Sequence, residues 1–547
     1  MPDEKEQVIH RYALLNAVEH EGMAQSKSVL GKVLADNPEW RNEIVIVRNL
    51  VEDIVRNVNR LSLLEQRQEL GSEMTEKEKK SEKKSLPELD RKRNFVVRFA
   101  PNPDGTLHIG NARVAVLNHE YAKKYKGKFI LRFDDTDPKV KIPEKKFYTM
   151  IKQDLKWLGI SWSKEVIASK RIPVYYNYAE KLIAMEKAYV CTCCKEWAAL
   201  RDKGKACPCR NLSKKEHMKR WKAMIAHRYR EGEAVLRIKT DLDLKNPAVR
   251  DWPAMRIVDN PKHPLTKRHL WPLYNFASAI DDHLLGITHI MRGQEHSTNE
   301  AKQKFIYQYF GWSYPVTTIV GRFSMSDMVM SKSLIRRGIA ERKFTGWDDP
   351  SIGTLRALKR RGFLPKTIKE MIVEIGLKPN DITISMENLS AFNRKNIDDI
   401  ANRYFFVPNP KKIEVKKMTV KDAKIPLHPS KKRGFRTFRL TKIFYIDRED
   451  FEKYQGLEVR LKDLCNIRLQ AASEFTSKAV KNIPKIQWVS HDHVPVRVIM
   501  PGHIIKGYGE HTMRKLHPGD IIQMERFGFG KVEKAGKDNI VICFSHR

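Results

Sequence analysis

The sequence predicts a multidomain protein: a small helical domain in front, an α/β body, and an all-β carboxyl-terminal part. Three observations carry this. A strand, loop, helix, strand run surrounds Phe99 to Pro138, where FVVRFA and FILRF are β-branched and aromatic and Asn111 to Lys124 has helical spacing. Residues 1–72 show helical periodicity in HRYALLNAVEHEG and NEIVIVRNLVEDIVRNVNRLSLLEQ, with Gly and Pro at the joins. From about Val407 the pattern switches to short alternating strands with Gly and Pro turns. A chain of 547 residues is long enough for several domains of the usual ~100–200 residues.

Taken in order, residues 1–72 form the helical domain and 73–93 a linker, because SEMTEKEKKSEKKSLPELDRKR is charge-dense and nearly without apolar residues. Residues 94–190 hold the first βαβ unit and the helices FYTMIKQDLKWLGI and YYNYAEKLIAMEKAYV. A cysteine-rich segment, 191–240, interrupts the α/β pattern, which resumes over 241–345. Residues 346–406 read as helices rich in Lys and Arg, suited to bracing an RNA backbone. Residues 407–547 carry the strands KKIEVKKMTV, TFRLTKIFYI, GLEVRLKDLCNIRL, DIIQMERFGFG and NIVICFSH, the spacing of antiparallel barrels.

A formal net charge of +37 implies a polyanionic partner, nucleic acid or an anionic membrane. No apolar run approaches the ~20 residues of a membrane span, and MPDEKEQVIH lacks the order of a signal peptide, so a cytoplasmic protein is expected. Five of the seven cysteines fall between Cys191 and Cys209, unlike a disulfide framework. Cys-x-Cys, thirteen residues, Cys-x-Cys suits a structural zinc held by four thiolates. Cys191, Cys193, Cys207 and Cys209 are the first choice, although adjacent Cys194 leaves the set open.

The loop after FVVRFA lies at the carboxyl end of a strand, where α/β sheets bind ligands, and the next helix offers amide groups to phosphate. His108 and Asn111 flank Gly110, where backbone can approach a nucleotide closely. HIGN here and VMSKS at Val329 to Ser333, with RFDDTDP and WPLYNFASAIDDHLLGITHIMRGQEH between them, resemble the paired signatures of class I aminoacyl-tRNA synthetases. Together they are similar to glutamyl-tRNA synthetases of the archaeal and eukaryotic type.

That resemblance implies a Rossmann-like catalytic domain, an insertion over 191–240 packing against the tRNA acceptor end, a tRNA-contacting helical subdomain and two β-barrel anticodon-binding domains. It implies ATP with magnesium and L-glutamate as substrates, tRNA-Glu as partner with tRNA-Gln as an open alternative, and a monomer. It assigns His108, Asn111 and Lys332 to catalysis, with Thr106, Gly110, Met330 and Ser331 around ATP. It assigns Asp134 to the substrate ammonium, Arg98, Asn102, Tyr274 and Ser278 to the amino acid, and Arg292 to its side-chain carboxylate. Asn111 and Val329 depart from the usual boxes, which have His and Lys there, leaving Lys332 as the principal mobile cation. Asp281-Asp282-His283 is read as positioning rather than metal binding. A glutaminyl enzyme is the rival within the class, disfavoured by Arg292; a non-catalytic tRNA-binding scaffold is the rival outside it.

Overall fold

The computed structural model describes residues 4–20, 22–70, 86–89, 94–193 and 196–547. Two compact units are present, Met1–Ser85 and Leu86–Arg547. The first is all-helical in its described residues, as expected, with helices Glu4–Glu19, Ser26–Asp36, Ile44–Val58 and Leu63–Leu70. Val47, Val51, Val55 and Val58 recur at helical spacing and are buried with Ile9, Ala13, Ala17, Val29 and Val33. The buried amide of Gln66 donates to the carbonyls of Gly22, Val58 and Leu61 at 3.0, 2.9 and 3.2 Å, closing the last helix onto the others.

Most of the expected linker, 73–93, lies outside the described residues. Its described piece, Leu86 to Leu89, belongs to the second unit's core: Leu86 is buried, and Tyr121 donates to the Pro87 carbonyl at 3.0 Å. The two leucines in that charged run supply apolar surface that an average over the run conceals.

The second unit is organised by parallel strands. Val96–Phe99, Lys128–Phe133 and Lys164–Ile167 form one parallel sheet in that order, and His289–Gly293 pairs in parallel with Val316–Val320. The Thr288 amide donates to the Val96 carbonyl at 2.9 Å, and the Val96 amide to Thr288 Oγ1 at 2.9 Å, so the second pair lies beside the first strand. Chain order therefore reverses between Val96–Phe99 and His289–Gly293. The carboxyl ends of strands at such a reversal form the ligand crevice of α/β sheets. Helix Ile109–Lys124 covers the sheet with Ala112, Ala115, Val116, Leu117 and Tyr121 buried in the largest core.

Between the halves stands an antiparallel four-stranded sheet, Ala188–Cys191, Val235–Ile238, Pro253–Ile257 and Leu270–Pro272. It runs on past residue 240, the boundary expected for the inserted segment, because the WPL strand pairs with Pro253–Ile257. Beyond the VMSKS segment come helices Leu355–Arg361, Pro365–Ile375 and Met386–Ile397, as their periodicity predicts.

Residues from Asn402 onward build two seven-stranded, barrel-like sheets, each with its own core. The strands read from the sequence are present. The expectation of purely antiparallel pairing needs correction: Asn402–Tyr404 pairs in parallel with Ile521–Met524, and Pro410–Lys416 with Ala472–Ser477. Segments distant in sequence meet in these sheets, so no hairpin fixes their direction. The long hairpin His493–Met500 and His503–Glu510 was not foreseen, since Pro495 and the Gly-containing turn interrupt its pattern. The distal sheet is joined to the helices by Arg361, buried, whose guanidinium donates to the carbonyls of Phe544, Ser545 and Pro350 at 3.3, 2.5 and 3.3 Å. No helix among the described residues is long and apolar enough to cross a membrane.

Candidate active site

A cleft of about 940 Å³ opens where the strand order reverses. The first strand leads into its wall at Phe99 to Asn102, the strand His289–Gly293 delivers Arg292, and Met330, Ser331 and Lys332 close a third side. His108 is the N-cap of helix Ile109–Lys124. Its Nδ1 accepts from the Asn111 amide at 3.3 Å, and Asn111 Oδ1 accepts from the His108 amide at 3.2 Å, a reciprocal capping box. With Nδ1 accepting, the proton resides on Nε2, which is left to donate. Burial, reinforced by the Lys332 ammonium, lowers the His108 pKa to about 4, so the ring is neutral at neutral pH. A Cβ on Gly110 would stand 2.6 Å from the Phe323 carbonyl oxygen, so glycine permits this approach of helix to strand.

The loop before His108 is fixed from two sides. The Leu107 amide donates to Asp154 at 3.3 Å, and Asp154 also pairs with Arg356 at 3.1 Å. The Leu355 amide donates to the Leu107 carbonyl at 2.9 Å, and the Ile109 amide to the Gly353 carbonyl at 3.3 Å. Lys332 Nζ lies 2.7 Å from Asp104 and 3.1 Å from the Asn102 carbonyl. Burial lowers its pKa, against the pull of Asp104.

At the other end of the cleft is a dry charged cluster. Arg98 pairs with Asp282 through Nε and Nη2 at 3.0 and 3.2 Å. Arg132, fully buried, bonds Asp282 at 2.7 Å, Asp134 at 2.6 and 3.2 Å, and Ser278 at 2.9 Å. Burial opposes the charge on Asp282, but the guanidinium groups of Arg98 and Arg132 prevail and hold its pKa below the usual value. Such a carboxylate is retained only with its partners, since one unpaired buried charge costs about 3–5 kcal/mol. Arg292, buried, donates to Gln303 at 3.1 Å and keeps an Nε that has no partner among the described residues.

Comparison with known proteins fits this geometry. Residues 94–399 match the family model for tRNA synthetases class I (E and Q), catalytic domain, and residues 401–487 match the anti-codon binding domain of the same class. Relatives from Pyrococcus furiosus, Pyrococcus abyssi and Thermococcus kodakarensis, each named glutamate–tRNA ligase, are 50%, 51% and 49% identical and are matched over 100% of both chains. The chain belongs to the class I (E and Q) tRNA synthetases.

In this synthetase the cleft brings together Arg98, Asn102, His108, Gly110, Asn111, Asp134, Tyr274, Arg292, Met330, Ser331 and Lys332. Two residues expected at the site are not on its wall. Thr106 is buried with a hydroxyl that has no partner among the described residues, and Ser278 stands behind the wall, holding Arg132. Asp134 faces the cleft but is already paired with Arg132. Sequence reasoning missed Arg132, Asp154 and Gln303, and gave Asp282 no particular partner. Asp282 had a signal: it lies one helical turn beyond Ser278, and Ser278 one beyond Tyr274. Gln303 had none, being one polar residue in a polar helix.

Outside the cleft, Cys191 Sγ lies 3.8 Å from Cys207 Sγ, and Cys193 Sγ 3.4 Å from Cys209 Sγ. Sulfurs about 2.3 Å from a common zinc would stand roughly 3.8 Å apart in a tetrahedron; the sulfurs of Cys191, Cys193 and Cys207 lie within 4.8 Å of one another, while Cys209 is not part of that group. Arg220 donates to Cys209 at 3.3 Å, favouring thiolate. Cys194 lies outside the described residues.

Proposed function

We propose that this synthetase is a glutamate–tRNA ligase: it joins L-glutamate to ATP, supplied as its magnesium complex, and passes the glutamyl group to the 3′ end of tRNA. In the first step a glutamate carboxylate oxygen attacks the α-phosphorus and diphosphate leaves. In the second a terminal ribose hydroxyl attacks the acyl carbon and AMP leaves. No enzyme nucleophile is needed, so positioning and charge stabilisation carry the rate. His108 Nε2–H and the Lys332 ammonium are the donors we assign to the phosphoryl oxygens, with the Asn111 amide beside them. Arg98 and Asp134 take the amino acid's α-groups, with Tyr274 as wall, and Asn102, Gly110, Met330 and Ser331 shape the nucleotide end.

The observation that carries the choice of glutamate is Arg292, a buried guanidinium on the cleft wall whose Nε has no partner among the described residues. A guanidinium edge matches a carboxylate in paired hydrogen bonds and an amide poorly. Arg292→Ala should lower glutamate efficiency by about 2–5 kcal/mol in transition-state binding and glutamine far less. Steady-state kinetics with both amino acids at saturating tRNA test this, and an unchanged ratio overturns the assignment.

The domain reading is part of the proposal: an acceptor-end insertion held by zinc on Cys191, Cys193, Cys207 and Cys209, a helical tRNA-contacting subdomain, and barrels reading the anticodon. tRNA-Gln as an alternative substrate beside tRNA-Glu, a monomeric state and a cytoplasmic setting complete it. Aminoacylation of separated tRNA species decides the first of these.

A further inference from the structure

Gln303 lies on helix Ser297–Tyr309, which follows the strand bearing Arg292, and its side chain is buried. Its Oε1 accepts from Arg292 Nη1 at 3.1 Å and from the Tyr314 hydroxyl at 3.0 Å. The Tyr314 oxygen in turn accepts from Arg292 Nη2 at 3.5 Å. The three side chains close a triangle behind the guanidinium and leave its Nε as a buried donor without a partner among the described residues.

Gln303 gains little for itself from this position. Its own Nε2 is buried without a partner among the described residues, a desolvation cost that Met or Leu would avoid. What the amide supplies is a neutral acceptor that fixes the plane of Arg292. A carboxylate there would also fix it, but would neutralise the charge and compete with an incoming carboxylate. Resting on the reading of Arg292 as partner of the substrate's side-chain carboxylate, we propose that Gln303, braced by Tyr314, is the positioning residue that sets glutamate specificity. It holds Arg292 in orientation without quenching its charge.

The test compares Gln303→Met and Gln303→Glu with the unaltered chain and with Arg292→Ala. It measures kcat and KM for glutamate, glutamine and ATP in the presence of tRNA, together with Tm. Loss of one hydrogen bond to a charged group predicts a glutamate KM raised about tenfold or more in Gln303→Met, with the ATP KM nearly unchanged. The glutamate-to-glutamine ratio should fall, and fall further in Gln303→Glu, where the new carboxylate pairs with Arg292. In an Arg292→Ala background Gln303→Met should add nothing, because its effect is routed through that guanidinium. Should Gln303→Met not fold, Tyr314→Phe removes only the bracing hydroxyl and should lower the same ratio severalfold. A ratio unchanged in these variants, while Arg292→Ala collapses it, overturns the role of Gln303 alone. A ratio unchanged even in Arg292→Ala overturns the reading beneath it.

Discussion

His108 and Asn111 cap one another: each side chain accepts the other's backbone amide, at 3.3 and 3.2 Å. The departure from the usual box thus has a structural duty, since an amide oxygen can close this capping box. Asn111→Ala should lower stability by about 0.5–2 kcal/mol, the range for a lost cap, because the His108 backbone amide loses its acceptor, and should slow adenylate formation because the side-chain amide assigned to the phosphoryl oxygens is gone, while the ring keeps its bond from the residue-111 backbone amide. Asn111→Asp keeps the acceptor but sets a negative charge beside the phosphates, so it should lose less stability and more rate. Urea unfolding and tRNA-supported ATP–diphosphate exchange on both variants check the crossing order.

Asp154 predicts a pH signature. Burial raises its pKa from 3.8 to about 7, against the pull of Arg356. A carboxyl raised in the folded state binds its proton more tightly there, so its contribution is fully present below 3.8 and is lost as pH rises through about 7. The unfolding free energy of the unaltered chain minus that of Asp154→Asn should therefore decline between pH 4 and 7. A difference independent of pH would remove Asp154 as a titrating group.

For Lys332, truncation to Ala should reduce activation by about 2.7–4 kcal/mol in transition-state stabilisation, by analogy with removal of an oxyanion donor, with tRNA affinity nearly intact. Asp104→Asn leaves the ammonium in place and should alter kcat much less. Equal losses in the two variants would mean that the ion pair, and not the ammonium, matters.

The cysteine cluster predicts about one zinc per chain in freshly purified, reduced protein. Cys207→Ser should lose the metal and weaken tRNA charging more than adenylate formation, since the cluster lies outside the cleft. Elemental analysis finding no zinc would sink this reading.

Much of the architecture was legible because it rests on local pattern. The βαβ unit around His108 showed its periods directly, and the cleft-lining Arg292 followed from a buried strand ending at a crevice. What stayed hidden depends on long-range pairing. Arg132 is one arginine among many in a basic chain, and nothing near it in sequence says that Asp282, 150 residues on, will hold it. The parallel pairs of the carboxyl-terminal sheets were invisible for the same reason. Thr106 stands two residues before His108, yet its side chain is buried and off the cleft wall, a turn that spacing alone does not reveal.

The joint at Arg361 bears on how the chain is made. Its carbonyl partners Phe544 and Ser545 lie 183 and 184 residues further on. At the usual ~5–20 residues per second of synthesis, the helix emerges roughly 10–40 s before the strand that receives its guanidinium. During that interval Arg361 has the Pro350 carbonyl, already made, and leaves its other donors in water. The ties of the loop before His108 to Gly353 and Leu355 need no part of the distal sheet, so they can form before the Arg361 joint closes.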